Sequence, residues 1–197
     1  MSTASEFNQH LERISQALGR VEVPPREALA NNRNAAAVLV PLFEREGEMH
    51  VVYIRRSDHV ESHRGQVAFP GGRVDPVDRT LLDAALREAH EEVGIPPREV
   101  QVLGAFPTQH TTATGITVAP FVGAIPATLA LTPEPKEVAE IFHVPLSALR
   151  SPTYRGEYEW KINGTARQFP AILYGGQTIW GLTLRITMNL LEILDQQ

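Results

Sequence analysis

Three glutamates, Glu88, Glu91 and Glu92, stand at offsets of zero, three and four residues within the stretch Thr80 to Val93. On a helix of about 3.6 residues per turn such positions share one face. Like charges at that spacing cost a helix about 0.2–0.5 kcal/mol per pair, and these lie in the last two turns, where the helix dipole also disfavours anions. Breaches of local rules are expected where a chain does chemistry. A hard divalent cation would turn the repulsion into binding, because ions such as magnesium take carboxylate oxygens and water. The alternative is a solvated acidic face with Arg87 and Arg98 as partial neutralisers.

The helix that positions these carboxylates is the strongest element in the sequence. Leu81, Leu82, Ala85 and Ala89 can face a core, and Gly94 followed by Pro96-Pro97 stops it. Ahead of it, Ala35 to Phe43 and His50 to Arg55 read as strands joined by Glu44 to Glu48. Gly65 to Phe69 reads as a third short strand and Pro70-Gly71-Gly72 as a turn. Behind it, strands are expected at Val100 to Phe106, Thr117 to Ile125 and Val138 to Val144. Glu157 to Ile162 and Arg167 to Phe169 flank Asn163-Gly164, a strong hairpin signal, and Leu182 to Leu194 forms a closing helix. The N-terminal residues suggest an amphipathic helix, with Phe7, Leu11, Ile14 and Leu18 on one face and Thr3 with Glu6 spaced as a capping box. Val23-Pro24-Pro25 and Asn31 to Asn34 then act as punctuation.

Length and composition bound the rest. With 197 residues, 43% hydrophobic and 21% charged, the chain suits one globular domain with additions at its ends. The expected division is an N-terminal helix and linker at 1–30 packed on a catalytic domain at 31–197. No apolar run reaches the ~18 residues of a membrane-spanning helix, and no repeat marks a second domain. The absence of cysteine removes disulfides, thiolate metal sites and thiol nucleophiles, and fits a reducing compartment. A net charge of −5 argues against nucleic acid or an anionic membrane as partner, so an anionic substrate needs local positive charge. Arg55, Arg56, Arg64 and Arg73 supply it, against Asp58 and Glu61.

The segment Gly71-Gly72, Asp78 and Arg87-Glu88-Ala89-His90-Glu91-Glu92-Val93-Gly94-Ile95 resembles the signature box of the Nudix hydrolases. Its second half matches in full; in the first half Asp78 replaces a glutamate and one residue is inserted before Arg87. The preceding Arg56-Ser57 and His63-Arg64-Gly65-Gln66-Val67-Ala68-Phe69-Pro70-Gly71-Gly72 resemble the extra motif of the coenzyme A pyrophosphatase branch. The resemblance implies an α/β fold, a Nudix-type α/β/α sandwich around a mixed β-sheet, with Mg2+ or Mn2+ held against a pyrophosphate.

By the same resemblance Glu88 and Glu92 are metal ligands, Glu91 is ligand or base, and Arg87 orients the carboxylates. Arg56, Arg64, Gly65, Gln66, Gly71, Gly72 and Arg73 are assigned to substrate. A further carboxylate is expected from Glu134, Glu137 or Glu140. Trp160, Trp180, Tyr154 and Tyr174 stack on adenine, flank a pantetheine channel or, as is usual in a late hairpin, belong to the core. The implied reaction is hydrolysis of coenzyme A, or its thioesters, to 3′,5′-ADP and 4′-phosphopantetheine. The alternatives are another nucleoside diphosphate derivative such as ADP-ribose, NADH or a nucleoside triphosphate, and a metal-free binding protein on the same scaffold. A homodimer is left open. The C-terminal Asp195-Gln196-Gln197 lacks a peroxisomal address, which points to the cytoplasm.

Overall fold

The computed structural model describes residues 3–19, 35–60, 62–111, 115–162 and 165–196. Strands β1 (Ala35–Arg45) and β2 (Glu48–Arg56) form an antiparallel pair, joined by a turn in which Glu46 and Gly47 take positive φ. Both strands alternate strictly between two cores. Val40, Leu42, Val51 and Tyr53 face one side, and Ala37, Leu39, Val52 and Ile54 face the other. That period of two is what a sheet covered on both faces requires.

The sheet has eight strands. In the central path β3 (Val67–Ala68), β2, β1, β7 (Thr117–Ala124) and β5 (Gln101–Ala105) lie side by side. β4 (Gly71–Arg73) pairs with β1, β6 (Gln109–His110) with β7 and β8 (Val138–Pro145) with β2. Among the described strands only the β1–β7 pair is parallel, so the sheet is mixed. One face is covered by α2 (Leu81–Val93). The other carries α1 (Thr3–Leu18), the short α3 (Leu146–Arg150) and α4 (Gly181–Asp195), with a second, three-stranded sheet of β9 (Arg155–Ile162), β10 (Thr165–Tyr174) and β11 (Gln177–Trp180). This is the expected α/β sandwich around a mixed sheet.

Several expectations need correction. Gly71-Gly72 is not a turn but the start of β4, antiparallel to β1 with Val38 opposite Gly71. The strand expected over Gly65 to Phe69 is only Val67–Ala68, and α3, β6 and β11 had no clear sequence signal. Of the apolar residues on α2, Leu81, Ala85 and Ala89 are buried as expected, whereas Leu82 is half-buried; Ala84 and Val93 complete the core face. The β9–β10 hairpin pairs with Ile162 opposite Thr165, but Asn163 and Gly164 lie outside the described residues, as do the side chain of Thr3, Val23 to Pro25, Asn31 to Asn34 and Glu61. On α1, Leu11 and Ile14 enter the core, with Phe7 and Leu18 packed beside it.

Candidate active site

Thr80 caps α2: its hydroxyl accepts from the Asp83 N–H and the Asp83 carboxylate accepts from the Thr80 N–H, the reciprocal arrangement of a capping box. At the other end Gly94, at φ 74°, closes the helix with left-handed backbone. With both ends fixed, the carboxylates of the last turns have set positions. Glu88 and Glu92 point towards β4. Glu91 does not join them: its side chain is 56% exposed and is held by Arg87 on the outer side of the helix.

The third carboxylate of the site comes from the stretch before β8. The Thr132 N–H donates to Val93 O and the Glu134 N–H to Glu92 O, lashing this segment along the end of α2. The Ser57 N–H donates to Glu137 O at 2.8 Å, which ties the same segment to the end of β2. Glu88, Glu92 and Glu137 thereby bring one oxygen each within 4.8 Å of one another. Of the other two candidates, Glu134 accepts from the Lys136 N–H, and Glu140 from Arg55 and Gln177. Sequence alone named all three glutamates; the backbone bonds decide among them.

β4 closes the site from the sheet side. The Gly71 N–H donates to Glu92 Oε2 at 2.9 Å, and a Cβ on Gly72 would lie 2.5 Å from the Glu88 carboxyl carbon. Gly71 itself, at φ 153°, leaves no room for a Cβ against Ala37 O and Val38. Both glycines serve close approach, which a residue without a Cβ allows.

Arg87 is the hub. Its Nε and Nη2 donate to the two oxygens of Asp78 at 2.9 Å each, while Nη1 donates to Glu88 and to Glu91 at 2.9 Å, and Nη2 also donates to Arg73 O. Asp78, 3% exposed, therefore stands where the box has glutamate and grips Arg87 bidentately despite the inserted residue. These bonds, with Asp78 foremost, push the Arg87 pKa still higher. Arg98 takes no part, pairing instead with Glu99.

Glu92 is the most enclosed of the acids, at 1% exposure, and burial pushes its carboxyl up to about 8 against the opposing pull of the Gly71 N–H and Arg56. Burial likewise raises Glu88, partly offset by Arg87. An all-carboxylate set, crowded and partly shut from water, suits a hard divalent cation, whose charge would favour the ionised form of every member.

The arginines divide. Arg56 turns inward, 3.5 Å from Glu92, and Arg55 faces Glu140 at 3.4 Å, so neither guanidinium is left free as the sequence reading assumed for Arg56. Arg64 and Arg73 are exposed and have no carboxylate partner among the described residues. The loop carrying Arg64 is sharply folded, with His63 and Gly65 at φ 58° and 66°, the His63 ring bonded to Gln66 and the Gly65 N–H donating to Arg56 O.

A protein-family model described as the NUDIX domain matches residues 33–162, well over half of the chain. The chain belongs to the Nudix family. Among curated proteins it is 42% identical over 160 residues to an "Uncharacterized Nudix hydrolase NudL" of Enterobacter sp. (strain 638), covering 81% of this chain and 82% of that one. It is 36% identical over 195 residues to the protein of the same description from Pectobacterium atrosepticum, covering 98% of both. A solved MutT/nudix family protein from Enterococcus faecalis shares the fold, with a TM-score of 0.53 and 14% identity over 96% of this chain and 74% of that one. This Nudix protein is accordingly a hydrolase of pyrophosphate bonds, and the box carboxylates and Arg87 described above are its α2 residues.

Proposed function

We propose that this Nudix hydrolase cleaves the pyrophosphate of coenzyme A to 3′,5′-ADP and 4′-phosphopantetheine, using Mg2+ or Mn2+ held by Glu88, Glu92 and Glu137. The observation that carries the substrate is the pair of exposed arginines, Arg64 and Arg73, without a carboxylate partner among the described residues. They lie on the stretch that leads into the acidic site of a chain with net charge −5. A substrate with a pyrophosphate and a separate 3′-phosphate matches that arrangement: carboxylates and cation for the first, guanidinium forks for the second. Gly65 and Gln66 shape the Arg64 loop, and the Gly71-Gly72 backbone supplies the close wall.

When bound, the cation supplies positive charge against the phosphate oxygens and lowers the pKa of a nearby water. The chain's residues do the rest. Arg87, locked by Asp78, fixes the rotamer of Glu88; the Gly71 N–H and Arg56 fix Glu92. Water oxygen bonds to phosphorus as the bridging P–O bond breaks. The water's proton passes to Glu137, the carboxylate of the site that is open to solvent, and the leaving phosphate carries away the electron pair. Residues 31–197 make up the catalytic domain in this proposal, with 1–30 as its N-terminal helix and linker, and the enzyme works in the cytoplasm.

The test is chromatography of products after incubation with coenzyme A, dephospho-coenzyme A and ADP-ribose in the presence of either metal. The proposal expects 3′,5′-ADP and phosphopantetheine from coenzyme A, slower turnover of the dephospho compound, and no products from Glu88→Gln. Hydrolysis of ADP-ribose with coenzyme A untouched would overturn it.

A further inference from the structure

The β9–β10 ribbon reaches beyond the core. Ile172 and Ile179 are fully buried beneath it, but from Glu157 outward on β9, and back to Thr165 on β10, its described residues are exposed or half-buried. Directly opposed residues of an antiparallel pair share a face. One face therefore holds Tyr158 with its partner Phe169, Trp160 with its partner Arg167, and Trp180 from β11, opposite Ala171. The rings touch in series: Trp160 and Trp180 centroids are 5.5 Å apart, Tyr158 and Trp180 4.7 Å, and Phe169 and Trp180 5.7 Å. Trp160 keeps 40% of its surface open. These aromatics are not core, as residues of a late hairpin would ordinarily be.

The charges on the ribbon are segregated. Glu159 pairs in register with Gln168 on the opposite face and is hydrogen bonded to it, and Glu157 lies on that same opposite side. The aromatic face carries Arg167, which has no ion-pair partner among the described residues. Among the described residues this surface of π-faces carries Arg167 and no carboxylate, which complements a planar ring joined to a phosphate.

The ribbon also meets the strand that leads into the site, for β11 packs against β3. Trp180 immediately precedes α4, whose Thr183 hydroxyl donates to Val67 O at 3.0 Å. Val67 lies in β3, four residues before Gly71. We propose that this aromatic face binds the adenine of the substrate by stacking on Trp160 and Trp180, with Arg167 meeting a phosphate of the nucleotide half. The proposal rests on the coenzyme A reading for its occupant, and deepens it.

The experiment is a titration of the full chain with 3′,5′-ADP, and separately with 4′-phosphopantetheine, followed by tryptophan fluorescence and by calorimetry. Stacking on an aromatic ring is worth a loss of about tenfold in affinity when the ring is removed. Trp160→Ala is therefore expected to weaken 3′,5′-ADP about tenfold and to raise KM for coenzyme A similarly. Trp160→Phe, which keeps a π-face, should recover most of the affinity; phosphopantetheine should be indifferent to both. Unchanged 3′,5′-ADP affinity in Trp160→Ala, in a protein that still hydrolyses coenzyme A, would overturn the platform and leave the activity standing. Weakened binding in a protein that does not act on coenzyme A would support the platform and remove that activity. Conversion of a dimer to a monomer by Trp160→Ala, with nucleotide affinity intact, would overturn the platform in favour of self-association.

Discussion

At the scale of single residues, the site is a set of charges that satisfy one another only in part. Arg87 spends its donors on Asp78, Glu88, Glu91 and a backbone carbonyl, while Glu92 keeps a single backbone N–H and a long contact to Arg56. A buried acid with so little compensation is costly to the fold, which is the behaviour of a group kept for a ligand. A second residue-scale network lies at the far end of β2. Arg45 donates to His143 Nε2 at 3.0 Å, and because Arg87-like guanidinium groups only donate, that nitrogen must accept. His143 Nδ1 then carries the proton and donates to His50 Nδ1 at 2.9 Å, so both rings are held neutral. Burial, Arg45 and, for His50, its histidine neighbour all lower these pKa values below 6.5, with Glu48 and Glu46 opposing at His50. The unfolded chain thus binds more protons, and the contribution to stability is full above pH 6.5 and lost as pH falls through the lower folded values. Urea denaturation at pH 7.5 and pH 5.5 should show a smaller acid loss in the His50→Gln, His143→Gln double variant than in the wild type; equal losses would contradict this reading.

At the scale of elements, the inserted β4 strand divides two duties between adjacent glycines. Gly71 meets the β1 backbone, whereas Gly72 meets the Glu88 side chain. Gly71→Ala must strain both its φ and the β1 pairing, and is expected to cost about 2 kcal/mol or more in denaturant unfolding. Gly72→Ala is expected to leave stability within about 1 kcal/mol while cutting pyrophosphate turnover at least about tenfold, because the Glu88 carboxylate has to move. Equal effects on stability from the two variants would show that the division is wrong. The elements differ in how well the sequence displays them. α2 was legible because Thr80, the apolar spacing and Gly94 all act locally. β4 was not, because Gly71-Gly72 carries a turn signature and only pairing with β1 makes it a strand. The choice of Glu137 over Glu134 and Glu140 depends on backbone bonds to α2 and β2 that join residues distant in sequence, as from Glu134 to Glu92 and from Glu137 to Ser57. The inward turn of Arg56 was hidden for the same reason, since its partner Glu92 lies 36 residues on.

At the scale of the whole molecule, two cores lie on opposite faces of one sheet, and the site sits where β1 and β2 part to admit β3 and β4. The matched family region ends at residue 162, yet β10, β11 and α4 complete the second core through Ile172, Ile179 and Leu190. The C-terminal part is thus an integral half of the sandwich as well as the carrier of the aromatic face. What unites these features is the claim that Glu88, Glu92 and Glu137 together hold the catalytic cation. The most direct measurement is a Mn2+ titration followed by electron paramagnetic resonance on the wild type and on Glu88→Gln, Glu92→Gln and Glu137→Gln. The account predicts a bound ion in the wild type and affinity weakened about tenfold or more in each variant, at least the loss that follows when a group next to the ligands is removed. Wild-type affinity in all of the variants would contradict it.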